Sequence, residues 1–595
     1  MPDPIPDTIP HRLVRQAAQH PSSIAYQAKR DGRWQPTTWQ TLTDEVRTAG
    51  RALIALGVPA GGKVAILGSN RPEWVIIAHA AMMAGGAAAG IYTTCSATEV
   101  QYIVHHSEAH VILVEDAAQL AKITAERARL PLLRTVVLMR GTAPAPPGPN
   151  ESDAAPEVLS WDDFNAKASA AATAALEDRL AALEPGALAS LIYTSGTTGP
   201  PKGVMLSHDN LAWTAQMMTD VLGSYTAGET TLSYLPLSHI AEQMASIYLA
   251  VTAGTTVYFA ESIDKLADNL RETRPTMFFG VPRIWEKLHA GIAGKLAETT
   301  GAKRRLVDWA RKVATEINGL RNRSAPIPKR LQLQFAVADR LVLQKLKAAV
   351  GFDRGRTMIT GAAPISPDVI AFFASLDLAV REIYGQSESS GPTSYNQPGK
   401  TKIGSVGPTM PGVEVKIAQD GEILARGRNV FIGYFKDAEA SADALRDGWL
   451  ATGDLGAFDA EGFLAITGRK KEIIITAGGK NITPKNIEAS IKQLPLVGEA
   501  VVIGDRRKYL TALITLDDDA ARALPADQVR AAIQRQIDEV NQSLARVEQV
   551  KKFAVLARPF GIATGELTPT LKIKRKVVAE LYQREIEAMY AEGDV

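Results

Sequence analysis

Three short apolar runs near the start of the chain do most to limit its architecture. They are KVAILG (63–68), HVILVED (110–116) and RTVVLM (134–139), with helix-like stretches between them. Such runs read as strands buried on both faces. Strands of that kind joined by helical crossovers build a largely parallel α/β sheet. The stretch WVIIAHAAMMAGGAAAGIY (74–92) fits the same scheme, as a buried helix running into a buried strand. It carries His79 and is rich in Gly and Ala. A membrane span would need about 20 predominantly apolar residues.

At 595 residues the chain exceeds what one hydrophobic core usually serves, so at least two domains are expected. With 46% hydrophobic and 22% charged residues, it has ample material for large cores and falls outside the disordered classes. A net charge of +2 carries no nucleic-acid signature. The only cysteine, Cys95, rules out an internal disulfide and a cysteine metal cluster, and a reducing cytosol fits. The N-terminal MPDPIPDTIPHRL offers no apolar core of signal-peptide type.

The texture changes along the chain. Residues 141–157 read as a Pro/Gly-rich surface loop. Residues 285–350 read as long helices with scattered cations: Lys303, Arg304, Arg305, Arg311, Lys312, Arg321, Arg323, Lys329 and Arg330. Those cations fit solvated helix faces, or a basic surface for anionic lipid or a CoA phosphate. Beyond 462–484, EAVVIGD and LTALITL read as strands and 526–548 as a helix. A small α/β domain follows, with its boundary at 468–471, which divides the chain into 1–468 and 469–595.

The chemistry centres on YTSGTTGPPKG (193–203). Consecutive N–H groups in a glycine-rich turn form an anion-binding concavity, here with several hydroxyls and one lysine added. That suits a polyphosphate. The loop lacks the Gly-Lys-Ser/Thr ending of the common nucleoside-triphosphatase loop, because Pro201 precedes Lys202 and Gly203 follows it. GQSES is no hydrolase elbow, since Ser389 stands where the second glycine is needed. No G-x-G-x-x-G occurs, so a dinucleotide oxidoreductase has no support.

Seven motifs in order make the chain resemble the adenylate-forming superfamily of acyl- and aryl-CoA ligases, luciferases and nonribosomal adenylation domains. They are YTSGTTGPPKGVMLSH (193–208), YLPLSHIAEQ (234–243), ITGAAPIS (359–366), YGQSESSGP (384–392), GWLATGDLG (448–456), GRKKEIIITAGGKNI (468–482) and LTPTLKIKR (567–575). GIYTTCSATEVQYIV, RPTMFFGVPRIWEKL and the helical stretch after them resemble long-chain fatty acyl-CoA synthetases, including the bubblegum type. The resemblance covers almost the whole chain. It implies a large N-terminal α/β domain of parallel-rich sheets flanked by helices, a small β-rich subdomain, and a small mobile C-terminal α/β domain.

The resemblance also implies roles. Thr194, Ser195, Gly196, Thr197, Thr198 and Lys202 would hold ATP phosphates. Gly361, Ala362 and Ala363 would lie against adenine, with Glu382, Tyr384, Gly385, Gln386 and Ser387 completing the nucleotide site. Asp454 and Arg469 would hold the ribose, and Glu388 with Thr194 would hold Mg²⁺. His239, Phe279, Gly280 and Val281 would border the acyl group. Lys471 would be the hinge, and Gly478, Gly479 and Lys480 would line the CoA path. The C-terminal motif departs from the family's usual pattern, with Leu571 where glycine is more common. Lys572 is retained as the adenylation lysine, with Lys574 and Arg575 as competitors nearby.

The expected reaction is Mg²⁺- and ATP-dependent adenylation of a long-chain fatty acid, followed by thioester formation with CoA. The implied site is cytoplasmic, with peripheral membrane contact and a homodimer both left open. Competing readings are a medium-chain or aryl-acid CoA ligase, a fatty acyl-AMP ligase loading a carrier protein, and a non-catalytic fatty-acid-binding protein.

Overall fold

The computed structural model describes residues 6–144, 156–194, 200–223, 228–522, 524–562, 564–568 and 572–591. Most of the loop expected at 141–157 lies outside them.

Two eight-stranded sheets form the large N-terminal domain. One carries, in spatial order, Gly391–Tyr395, Val380–Gln386, Thr357–Thr360, Met277–Gly280, Thr230–Ser233, Thr256–Phe259, Ile24–Arg30 and Arg33–Thr38. Its inner pairs are parallel, and only the end pairs are antiparallel. The other runs Gly433–Tyr434, Lys202–Ser207, Leu188–Thr194, Ala87–Ile91, Lys63–Leu67, Ala109–Val114, Thr135–Leu138 and Glu157–Ser160. The three apolar runs are adjacent parallel strands within it.

The apolar stretch at 74–92 becomes helix Pro72–Met83, buried at every residue, and strand Ala87–Ile91. A helix without a polar face must be covered all round. Here one apolar cluster joins it to both sheets, through Tyr26, Phe259 and Ile359 on one and Val64 and Ile192 on the other. No helix among the described residues is long and apolar enough to cross a membrane.

A five-stranded antiparallel sheet follows, built from Glu414–Ile417, Glu422–Arg426, Leu445–Arg446, Trp449–Phe458 and Leu464–Arg469. The helical insertion comprises Pro282–Ala297, Gly301–Arg321, Lys329–Ala338 and Gln344–Ala349, with a wider π turn at Asp339–Leu343. Its inner face packs Trp285, Ile317 and Leu343 on Phe278 of the first sheet. Several of its cations are committed: Arg304 to Asp308 at 2.9 Å, Arg321 to Asp377 at 2.8 Å, and Arg311 over the Phe372 ring at 5.0 Å.

The smaller C-terminal domain pairs Val497–Ile503 with Leu510–Leu516 antiparallel and adds Val550–Val555 parallel. Its long helix, expected to reach residue 548, ends at Gln542. Gln549 takes the carbonyl of Asn541, and the Asn541 side chain pairs with the backbone of Val550, so the chain turns into the next strand instead. This domain docks on the large one through Gln493 Nε2 to Ser366 Oγ at 3.2 Å, and through Arg283 and Glu499 at 3.9 Å.

Candidate active site

The phosphate-loop motif caps a hairpin. Strands Leu188–Thr194 and Lys202–Ser207 are antiparallel, with Thr194 directly opposite Lys202. Ser195, Gly196, Thr197 and Thr198 lie outside the described residues. The loop therefore joins two strands, rather than a strand to a helix as in the common triphosphatase loop. Lys202 Nζ stands 4.8 Å from the Tyr434 ring centre and 3.8 Å from Asp437. The Tyr434 hydroxyl donates to Glu388 Oε1 at 2.8 Å, so this ring links the loop lysine to the expected metal ligand. Sequence reasoning missed Tyr434. Only the pairing of strand Gly433–Tyr434 against Lys202–Ser207 brings it in.

The residues expected to hold the nucleotide converge at the ends of two parallel strands. Thr360 faces Glu382 in register, and the first strand runs out at Gly361. A Cβ on Gly361 would lie 2.8 Å from the Ile383 carbonyl oxygen, so only glycine allows this approach. Ala362 follows in the left-handed region at φ 68°, and Ala362 and Ala363 are exposed. Gly385 is equally constrained, since a Cβ would fall 1.5 Å from the Gly391 carbonyl oxygen. Ser387 is buried. The Tyr384 hydroxyl donates to Asp454 Oδ2 at 2.9 Å. Arg469 Nε donates to Asp454 Oδ1 at 2.7 Å across neighbouring strands on which the two residues are register partners.

Thr360 Oγ1, Glu382 Oε2 and Gln386 Nε2 are buried without a protein partner. Burial pushes the Glu382 carboxyl up to about 7. Buried polar atoms are normally satisfied, so these three, on the strands that carry Tyr384 and lead into Gly361, fit a polar ligand that supplies the missing bonds.

His239 caps the short helix Ile240–Gln243, taking the Ala241 N–H on Nδ1 at 3.1 Å. A neutral ring bonded this way carries its proton on Nε2. Burial, and then the cation of Lys572, push its pKa down to about 4, so it stays neutral at working pH. Glu242, three positions on, was also missed by sequence reasoning. Burial raises it to about 7, while it accepts the Leu235 N–H and the Ser246 hydroxyl. It braces the turn that presents His239.

Lys572 comes from the small domain into this cleft. Its side chain reaches solvent, yet protein surrounds it. That enclosure, with Arg469 and Lys485 nearby, pushes its pKa down to about 8 against the pull of Asp454 and Glu388. Its N–H is held by Thr568 Oγ1 at 3.0 Å. The competing Arg575 is ion-paired to Glu488 inside the small domain. The Lys574 N–H donates to the Glu566 carbonyl.

Among the residues expected at the acyl group, strand Met277–Gly280 turns Phe278 into the core and Phe279 to the opposite, partly exposed face. A Cβ on Gly280 would lie 2.6 Å from Trp285 Nε1, which donates to the Gly280 carbonyl at 3.0 Å. The missing side chain at Gly280 therefore makes room for an indole. Val281 precedes helix Pro282–Ala297 as its N-cap and is half-buried. Gly478, Gly479 and Lys480 form an exposed turn between Ile474–Ile475 and Asn481–Ile482.

Lys471 lies between two anchors. Lys470 bonds Asp420 and Glu422 of the large domain at 2.6 and 3.0 Å. Glu472 pairs with Lys485 of the small one at 3.0 Å. Lys471 itself is exposed.

A large α/β domain and a small one that share such a cleft define an adenylate-forming enzyme. The sequence profile of the AMP-binding enzyme family matches residues 13–435, and that of the AMP-binding enzyme C-terminal domain matches 471–594. The chain belongs to the AMP-binding enzyme family. It is 37% identical to the long-chain-fatty-acid–CoA ligase ACSBG2 of Xenopus laevis, over 99% of this chain and 84% of that protein. It is 37% identical to the long-chain-fatty-acid–CoA ligase FadD15 of Mycobacterium bovis, over 98% of this chain and 97% of that protein. Its fold matches the anthranilate CoA ligase AuaEII in complex with anthranoyl-AMP, with a TM-score of 0.72 at 22% identity over 98% and 99% of the two chains. It also matches the Bacillus subtilis o-succinylbenzoate CoA synthetase bound to ATP and magnesium, with a TM-score of 0.68 at 23% identity over 95% and 98%.

Proposed function

We propose that this chain is an ATP- and Mg²⁺-dependent long-chain fatty acid–CoA ligase. The observation that carries this is Lys572, delivered by the small domain into the cleft that holds His239, Glu388, Asp454 and Arg469. Full-length similarity to long-chain ligases supports the substrate.

A carboxylate oxygen attacks the α-phosphorus of ATP. That P–O bond forms as the bond to pyrophosphate breaks, giving acyl-AMP. The CoA sulfur then attacks the acyl carbonyl, AMP leaves and the thiol proton is released. The first step needs positioning and charge neutralisation more than a protein nucleophile. Lys202 and the loop grip the phosphates, Asp454 and Arg469 orient the ribose, and Lys572 faces the reacting oxygens. Neutral His239 borders the carboxylate without adding charge. Glu388 and Thr194 would hold Mg²⁺, an ion that favours carboxylate and phosphate oxygens. No cluster of three His, Cys, Asp or Glu side chains suited to a metal occurs among the described residues, so substrate phosphates would complete the set. When bound, the ion neutralises phosphate charge. The substrate partitions into lipid, so we place the enzyme in the cytoplasm with peripheral contact to a bilayer.

Each buried CH₂ contributes about 0.8 kcal/mol, so a few methylenes suffice for a tenfold preference. Palmitate and oleate are expected to exceed acetate and benzoate at least about tenfold in kcat/KM, measured by pyrophosphate release with CoA present. Equal or better use of acetate or benzoate would refute the substrate.

Glu388→Ala should lower metal affinity by at least the roughly 10–100-fold that losing a mere supporting partner of a metal ligand costs. Adenylation should slow at low Mg²⁺ and recover in part at high Mg²⁺. An unchanged Mg²⁺ titration would remove Glu388 from the metal site.

A further inference from the structure

Helix Lys329–Ala338 and its continuation to Ala349 are apolar on two sides. Leu331, Ala338, Val342 and Leu343 face inward and are buried. Leu333, Val337 and Leu341 recur every four residues on the outer side, at 70%, 44% and 47% exposure. Residues four apart lie one above another on a helix, and the wide turn at Asp339–Leu343 keeps Leu341 near the same line. Lys329 and Lys345 extend the row at its two ends, and Arg330 and Arg340 flank it. All four cations are exposed and none is in an ion pair among the described residues. The one acidic residue on these helices, Asp339, is paired with Lys347 at 3.1 Å.

A solvated helix face carries polar residues, not a row of Leu, Val and Leu. Three side chains on a convex helix fall far short of the ~800 Å² per partner that a stable protein interface buries. An apolar row rimmed by unneutralised cations is instead complementary to the headgroup region of an anionic bilayer.

We propose that the outer face of residues 329–345 is a docking surface for anionic lipid bilayer. Leu333, Val337 and Leu341 enter the boundary between headgroups and acyl chains. Lys329, Arg330, Arg340 and Lys345 meet lipid phosphates. This commits the peripheral contact argued above to one face, and it places the enzyme where its acid substrate is concentrated.

The test is flotation of the full chain with vesicles of phosphatidylcholine alone or mixed with phosphatidylglycerol, without ATP, CoA or fatty acid. Binding is then read independently of the ligase reaction. The wild type should bind the anionic vesicles and lose them at high salt. L333S/V337S/L341S and K329E/R330E/R340E/K345E should each bind at least about tenfold less. Both variants should keep wild-type pyrophosphate release with lipid-free substrate, which shows that they fold. The proposal is overturned if wild type binds neutral and anionic vesicles equally, if it binds neither, or if either variant binds like wild type. It is also overturned if sedimentation shows a dimer that L333S/V337S/L341S abolishes, because a second copy would then cover this face.

Discussion

Lys572→Ala is expected to slow acyl-adenylate formation by about 10²–10³-fold, the usual loss when one preorganised charge is removed. Thioester formation from supplied palmitoyl-AMP and CoA should continue near the wild-type rate. Lys572 lies near Asp454, Glu388 and Arg469 in the conformation described here, so its charge would serve the step in which negative charge builds between the carboxylate and the α-phosphate. The second step presents the opposite demand, a neutral carbonyl open to sulfur. Protonation adds a further signature. Enclosure lowers the Lys572 pKa from 10.5 to about 8, so the cation is present at neutral pH and is lost as pH rises through about 8. The kcat/KM for adenylation, which reports the free enzyme, should fall on that alkaline limb. Lys572→Arg should move the limb upward, because guanidinium keeps its proton. Pyrophosphate exchange measures the first half-reaction. If Lys572→Ala slows both halves equally, with circular dichroism unchanged, Lys572 is not specific to adenylation.

Lys471→Pro is expected to do the reverse: adenylation near wild type, with thioester formation slowed severely if turning the small domain is required. Lys470 is tied to Asp420 and Glu422, and Glu472 to Lys485, so a rotation between domains must pass through the residue between them. Proline fixes φ near −65°, which the 3₁₀ turn at Lys470–Glu472 accepts but a large rotation does not. The same turn would bring the exposed Gly478–Gly479–Lys480 segment toward the cleft. The measurement is thioester yield from supplied acyl adenylate in a single turnover. An unchanged rate would mean that the small domain does not pivot there.

Much of this protein is legible in its sequence, for reasons that are local. The runs at 63–68, 110–116 and 134–139 are strands because their apolar residues leave no face for water. Gly361 and Gly385 are glycines because backbone passes within van der Waals distance of where a Cβ would stand, a need that motif spacing already signals. Asp454 and Arg469 were separately assignable to the site. Their direct pairing was not, since register depends on how strands Trp449–Phe458 and Leu464–Arg469 align in space. The helical pattern runs on to residue 548, but the helix ends at Gln542, because the bonds that end it come from Asn541 and Gln549 meeting across a turn.

Other features have no local signal at all. Tyr434 enters the site by pairing with a strand more than two hundred positions away. The motif favours Lys572 over Arg575, but Arg575 is bound to Glu488 only because the small domain folds them together. Leu333, Val337 and Leu341 look like core on a helix pattern, and they are exposed because the insertion buries its other face. The sequence by itself determined the element types and the chemistry of the loops, since periodicity and backbone freedom act over a few residues. Which side chains meet, which polar atoms are left without partners and which apolar face stays uncovered were decided by tertiary structure, because burial depends on what packs against a surface.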